Sequence, residues 1–301
     1  DEVVYFESAR RSFCPLSRLL LVRGAAAFCS SIPPGMSIRE KVIGVISGMG
    51  PHAGLDLCTK IFDSTQARSD HEHLPVAMLS YPDRIVDRST FLFEETDVNP
   101  AYAIADIARQ LESVGATVAG MPCNTAHAPA IVDTVVEELE RTGHAIELVN
   151  MIDATVAFMK EHMPHVGCVG TLSTLAVYEL KLHRAPLEAA GFDVVVPDED
   201  VKREVVNRTI FDTSFGLKAQ TNPVTPKARQ NLVTAIRHLR GKGADAVVLG
   251  CTELPLAPLV EDMDDFLLVD PTEILARTLI EATYPETLRP LQEHYAAHAG
   301  S

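Results

Sequence analysis

From Lys41 onward the sequence predicts an α/β protein of two similar halves, each with a mostly parallel sheet. Three observations lead there. Short β-rich runs alternate with Gly or Ser turns and with helically spaced apolar residues. Those runs are continuously apolar instead of alternating, as strands covered on both faces are. The whole plan then occurs a second time.

"KVIGVIS" (41–47) reads as the first strand and enters the turn "GMGP" at 48–51, and "GLDLCTKIFDSTQ" (54–66) has the apolar spacing of a helix. "LPVAMLSY" (74–81) is a second strand, "PAYAIADIARQLESVG" (100–115) a helix closing on Gly115, and "ATVAGMP" (116–122) a third strand. In the second half "HVGCVGT" (165–171) answers the first strand and "FDVVVP" (192–197) the second. "GADAVVLGCTE" (243–253) answers "GATVAGMPCNT" (115–125), with a Gly-Ala pair beginning eight residues before each cysteine. "IELVNMIDATVAFM" (146–159) and "FLLVDPTEILARTLI" (266–280) match as the strand and helix that follow each cysteine. Four matches in one order indicate an internal duplication.

The 301 residues are 47% apolar, enough to bury a large core. Forty-one acidic against 26 basic residues give a net charge of −15, which repels nucleic acid and anionic lipid. Apolar runs are all shorter than the ~18 residues that span a bilayer. Six scattered cysteines do not make a disulfide framework, so a reducing compartment is expected. Their spacing and that of "HEH" at His71–His73 match no metal motif, so no metal site is expected.

Residues 9–35, "ARRSFCPLSRLLLVRGAAAFCSSIPPG", carry Arg10, Arg11, Arg18 and Arg23 with several serines, as organelle transit segments do. Met36 reads equally as a natural start. Residues 1–35 are therefore set apart as a leader or as translated upstream sequence, and a cytoplasmic protein, or an organellar one if the leader acts, is expected.

The chemistry is signalled by "AGMPCNTAH" (119–127) and "VLGCTELPL" (248–256). Each places a cysteine at a strand end, directly before residues that begin a helix, where free N–H groups favour thiolate. Free cysteine usually only packs, and Cys58, inside a helical pattern, and Cys168, inside a strand, fit that reading. Cys123 and Cys251 are duplicated at the carboxyl ends of strands, where ligands of α/β sheets bind. Two thiols on opposite faces of one carbon, roughly 7 Å apart, would let one remove a proton and the other return it with inversion.

"GMGP", "CNTAH" and "GCTELPL", in this order and spacing, resemble the cofactor-independent aspartate/glutamate racemase family, in particular its aspartate racemase branch. The resemblance spans about residues 38–284. It implies two Rossmann-like or flavodoxin-like domains about a pseudo-twofold axis, with the active site in the cleft between them. The expected organisation is 36–145 plus 265–285 as the first domain, 146–264 as the second and 286–301 as a tail. It also implies Cys123 and Cys251 as the catalytic pair, a small acidic amino acid as substrate, no pyridoxal phosphate or other cofactor, and a homodimer.

Further residues carry over one at a time. Arg88 in "VDRST" matches the anchor of the substrate's side-chain carboxylate, a task suited to planar guanidinium geometry. Lys218 in "FGLKAQ" corresponds to a family lysine across a short insertion. Met49 of the "GMGP" turn, Asn124, Thr125 and Thr252 match substrate-holding positions, with Thr171 in "VGTLST" a further candidate. His127 is read as orienting its turn, and Asp87 and Glu253 either as orienting Arg88 and the Cys251 turn or as helix-start carboxylates. Ser47-Gly48 departs from the family's paired glycines and adds a hydroxyl near the expected cleft. Glu253-Leu254-Pro255, where cell-wall glutamate racemases carry histidine, favours aspartate. Maleate isomerase, hydantoin racemase, a decarboxylase and an inactive binder of acidic metabolites are the competing readings.

Overall fold

The first half forms because its two central strands are apolar on both faces, with half-buried strands at the edges, and helices cover the sheet. β1 (Val42–Ser47), α1 (Pro51–Asp63), β2 (Val76–Ser80), α2 (Arg88–Leu92), α3 (Ala101–Ser113), β3 (Ala116–Gly120), α4 (Pro129–Arg141) and β4 (Glu147–Val149) follow in order. The strands pair in parallel in the order β2-β1-β3-β4. Ile43 and Val45 of β1 pack on one face with Leu57 and Ile61 of α1. Ile46 faces the other way, toward Ile104 and Leu111 of α3. The computed structural model describes residues 39–257, 263, 266–291 and 295. The leader-like 1–35, with Cys14 and Cys29, lies outside the described residues, as do Met36 and positions 292–294 and 296–301 of the tail.

The second half repeats the plan strand for strand. α5 (Met151–His162), β5 (Cys168–Leu172), α6 (Leu175–Glu179), α7 (Arg184–Ala189) and β6 (Asp193–Val195) lead into a π-helical stretch, Val201–Asn207, that runs into α8 (Arg208–Phe211). α9 (Pro226–Gly241), β7 (Ala246–Leu249), β8 (Leu267–Val269) and α10 (Pro271–Thr283) complete it. The parallel order β6-β5-β7-β8 matches that of the first sheet. The two-sheet α/β architecture is thus the one the sequence predicts. No helix among the described residues is long and apolar enough to cross a membrane.

β4 belongs to the first sheet and β8 to the second, so the chain leaves the sheets after Val149 and Val269. The boundaries read from sequence, 145/146 and 264/265, fall just ahead of these strands. The helices that follow then change sides. α5 buries Phe158 and Met159 with Val169 and Leu267 of the second sheet. α10 brings Leu275, Leu279 and Ile280 back to Ile43, Val45 and Val118 of the first. Both crossings begin with the same cap. The Asn150 side chain accepts from the N–H groups of Ile152 and Asp153, and the Asp270 side chain from those of Thr272 and Glu273.

α10 lies close on β3 because Gly120 has no side chain: a Cβ there would stand 2.7 Å from Leu279 Cδ1. Leu279 is fully buried, so Leu279→Ala should leave a cavity where the returning helix meets β3 and cost about 2–5 kcal/mol. Urea unfolding followed by circular dichroism should show a lower midpoint with an unchanged slope.

Candidate active site

The carboxyl ends of the central strands of both sheets meet at one cleft, as α/β topology requires of ligand sites. From the first half it is lined by Met49 after β1, by Arg88 at the start of α2, and by Cys123, Asn124 and Thr125 after β3. From the second half come Thr174 after β5, Phe211 and Lys218 around α8, and Gly250 to Glu253 after β7. The space between these walls, counted out to open solvent, is about 360 Å³, so the cleft is narrow. Cys123 and Cys251, 6% and 5% exposed, both line it and both are free thiols.

The two cysteine turns are joined directly across the cleft. Thr252 Oγ1 donates to the Pro122 carbonyl (3.1 Å), and His183 Nε2 donates to Asn124 Oδ1 (2.9 Å). His183 approaches because Gly250 is bare: a Cβ at Gly250 would lie 2.9 Å from the ring and 2.2 Å from Ser173 Oγ. Behind Cys123, His127 Nδ1 bonds the Cys123 carbonyl (2.9 Å) and Nε2 meets the Met151 N–H (3.3 Å). A carbonyl only accepts, so Nδ1 carries the proton and His127 is neutral. Burial pushes its pKa down, in agreement. His127 thus ties the Cys123 turn to the start of α5 and leaves no ring nitrogen for the cleft.

The charges around the two sulfurs differ. Cys251 Sγ donates to Glu253 Oε2 at 3.0 Å, and Lys218 Nζ donates to the other oxygen, Oε1. Burial and then the Glu253 charge hold the Cys251 thiol well above its ordinary pKa, against the opposing pull of Lys218. Cys123 instead stands beside Arg88. Burial disfavours the guanidinium charge, but Cys123, Asp87 and Glu253 outweigh it and hold the Arg88 pKa above its usual value. Arg88 Nη2 donates to the Met49 carbonyl (3.2 Å), while its Nε is buried without a partner. Asn124 Nδ2 and Thr174 Oγ1 are likewise buried and unpartnered. A cleft that leaves two donors and a hydroxyl unpaired is built for a polar ligand, because such groups cost about 1–3 kcal/mol each when left dry.

Of the residues expected at the site, Met49, Arg88, Cys123, Asn124, Thr125, Lys218, Cys251 and Thr252 all line the cleft. The Thr252 hydroxyl proton, however, is engaged by Pro122. Thr171 does not line it. It lies within β5, its carbonyl accepting from Tyr178, and Thr174, beyond the strand end, takes the place by the cleft. Ser47 is not a lining residue either, since its hydroxyl packs onto the bare Cα of Gly54 in α1. Asp87 caps α2 through the N–H groups of Ser89 and Thr90, and it also lines the cleft with Oδ2 3.8 Å from Arg88 Nη2, while Glu253 contacts both Cys251 and Lys218. Cys58 packs against the Met78 sulfur in α1, and Cys168 begins β5 at the end away from the cleft. Among the described residues no cluster of His, Cys, Asp and Glu is placed to hold a metal.

Sequence reading missed His183, Thr174, Gly250 and Phe211. Thr174 was within reach of the repeat, because the residues after β5 answer the "GMGP" turn after β1. His183 lies in the β5–β6 connection and Phe211 in the β6–β7 connection, outside the segments the sequence repeat matches. Glu253→Gln removes the negative charge beside Cys251 while keeping a side chain of the same size. Alkylation of Cys251 by iodoacetamide, followed in a Cys123→Ser background, should then rise at a lower pH than with Glu253 present.

The model of the Asp/Glu/hydantoin racemase family matches residues 46–279. The broad specificity amino-acid racemase RacX of Bacillus subtilis (strain 168) is 22% identical over 253 residues, covering 81% of this chain and 98% of that one. Among solved structures, an aspartate racemase of Picrophilus torridus superposes with a TM-score of 0.67 at 27% identity, over 86% of this chain and 99% of its own. An aspartate racemase homologue of Pyrococcus horikoshii OT3 does so with a TM-score of 0.59 at 26% identity, over 81% and 99%. The chain belongs to the Asp/Glu/hydantoin racemase family and is an isomerase of the racemase type.

Proposed function

We propose that the chain interconverts L- and D-aspartate without a cofactor, with Cys123 and Cys251 exchanging protons at the two faces of the α-carbon. The observation that carries this reading is the placement of two buried thiols on one small cleft with opposite charge neighbours, a guanidinium beside Cys123 and a carboxylate beside Cys251. In that state Cys251 holds a proton to donate and Cys123 is the base.

The step is written simply. The Cys123 thiolate takes the α-proton from one face, and the Cys251 thiol gives its proton to the opposite face, so the stereocentre inverts and the two sulfurs have exchanged states. The reverse direction starts from the exchanged pair, with Lys218 offsetting the charge that Cys251 then shares with Glu253. An amino acid's α-proton is far less acidic than a thiol, so the carbanion must be stabilised as its carboxylate gains enolate character. The free Asn124 amide and the Thr125 and Thr174 hydroxyls are the donors available, each worth roughly 3–4 kcal/mol when aimed at the developing charge. Arg88, with its unpartnered Nε, is assigned to the substrate's side-chain carboxylate.

A second reading, broader specificity, is favoured by Phe211, an apolar lining residue, and by the pairing of Lys218 with Glu253, which leaves Arg88 as the cation not tied to that carboxylate. Relative kcat/KM values for aspartate, glutamate and neutral amino acids separate the two.

Cys123→Ala and Cys251→Ala should each lower racemisation, read by chiral chromatography, by at least about 10²–10⁴-fold while retaining ligand binding. Either variant turning over at the wild-type rate contradicts the two-base assignment. Arg88→Ala should raise KM for aspartate and erase its preference over neutral amino acids.

A further inference from the structure

Between β5, the α6–α7 segment and the start of the π-helical stretch lies a second cavity, about 400 Å³ counted out to open solvent, that the racemase chemistry does not use. Lys181, Arg184 and Lys202 line it together with His183, Tyr178 and Thr171. In a chain with a net charge of −15, three cations and no acid on one small cavity is an inversion of the surroundings. Arg184 is paired with Glu188 (2.7 Å), and Lys202 approaches Glu199 (3.6 Å) and the Tyr178 ring (5.3 Å). Lys181 has no ion-pair partner among the described residues. Its φ of 53° is a left-handed conformation that non-glycine residues rarely adopt.

The polar groups on the wall define the ligand further. Tyr178 is already satisfied, donating to the Thr171 carbonyl (3.1 Å) and accepting from the Ser173 N–H (2.9 Å). His183 is not. It is 2% exposed, its Nε2 proton is committed to Asn124 Oδ1, and its Nδ1 is buried without a partner. With the proton on Nε2, Nδ1 offers a lone pair and seeks a donor. Burial, reinforced by nearby His127, pushes the His183 pKa down to about 4, so the ring remains neutral.

We propose that this cavity is a second ligand site for a small oxyanion that brings its own hydroxyl, as phosphate does. The three cations meet the charge, and the anion's O–H meets Nδ1. Sulfate, which carries no proton at neutral pH, lacks that donor. The site stands independently of the substrate assigned to the cleft.

The test is the imidazole ¹⁵N spectrum of the full chain with labelled histidine, titrated with inorganic phosphate at constant ionic strength, with sulfate and methyl phosphate in parallel. The His183 Nδ1 resonance should shift saturably with phosphate and shift less with sulfate. Methyl phosphate, which retains a hydroxyl only as its monoanion, should act like phosphate at pH 5.5 and weaken by pH 8, marking the free hydroxyl as the feature recognised. The shift should persist in Arg88→Ala, which disables the cleft's own cation. It should need roughly tenfold or more phosphate in Lys181→Ala/Lys202→Ala, and in Arg184→Ala if the double variant does not fold. No saturable shift in the wild type, equal effects of sulfate and phosphate, or an unchanged titration in the cavity variants would each overturn the proposal.

Discussion

Two buried hydrogen bonds tie the walls of the candidate cleft together, Thr252 Oγ1 to the Pro122 carbonyl and His183 Nε2 to Asn124 Oδ1. One face of each sheet is covered by helices of its own half, the first by α3 and α4 and the second by α9. The cleft exists only where the two strand ends are opposed. These bonds fix that opposition at the cysteine turns themselves, and they are short-range and directional, as apolar packing is not. They depend in turn on Gly250, whose missing side chain lets the His183 ring reach across. The exchange of α5 and α10 between the halves adds the apolar surface that keeps the two sheets from separating.

On this frame the pseudo-symmetry of the backbone is broken by charge. Equivalent turns carry equivalent thiols, but one is followed by Asn124-Thr125 and the other by Thr252-Glu253. The Glu253 carboxylate, buried and shared between Cys251 and Lys218, adds to burial in holding the pKa of one thiol up, while Arg88 supplies the other with a positive neighbour. A pair of thiols with identical surroundings would have no defined starting state for proton transfer. Here the low-dielectric cleft makes the difference between the neighbours count.

Much of this was legible in the sequence, for reasons that can be named. Strand and helix assignments followed from apolar runs too continuous for a half-exposed sheet, and the cysteine pair from a repeat that placed it twice at the same junction. What the sequence concealed depends on long-range placement. Thr171 and Thr174 are separated by three positions in "VGTLST", and only the strand's end at Leu172 decides which hydroxyl reaches the cleft. Glu253 reads from sequence as a helix-start carboxylate as readily as a site residue, because its partner Lys218 lies 35 positions away. Ser47 looked like an added cleft hydroxyl, yet the bare Cα of Gly54 in the next helix takes it up. The exact crossing points between the halves were hidden as well, since Glu147–Val149 and Leu267–Val269 are strands of three residues at sheet edges.

The central claim is that the two thiols act on opposite faces of one α-carbon. Proton NMR in heavy water tests it most directly, following the α-proton of L-aspartate and, separately, D-aspartate with purified reduced protein and no added cofactor. The account predicts loss of the α-proton signal from both enantiomers, with deuterium appearing in the inverted product during its first turnover. Retention of the α-proton in both substrates, or deuterium entering only with retained configuration, would contradict it.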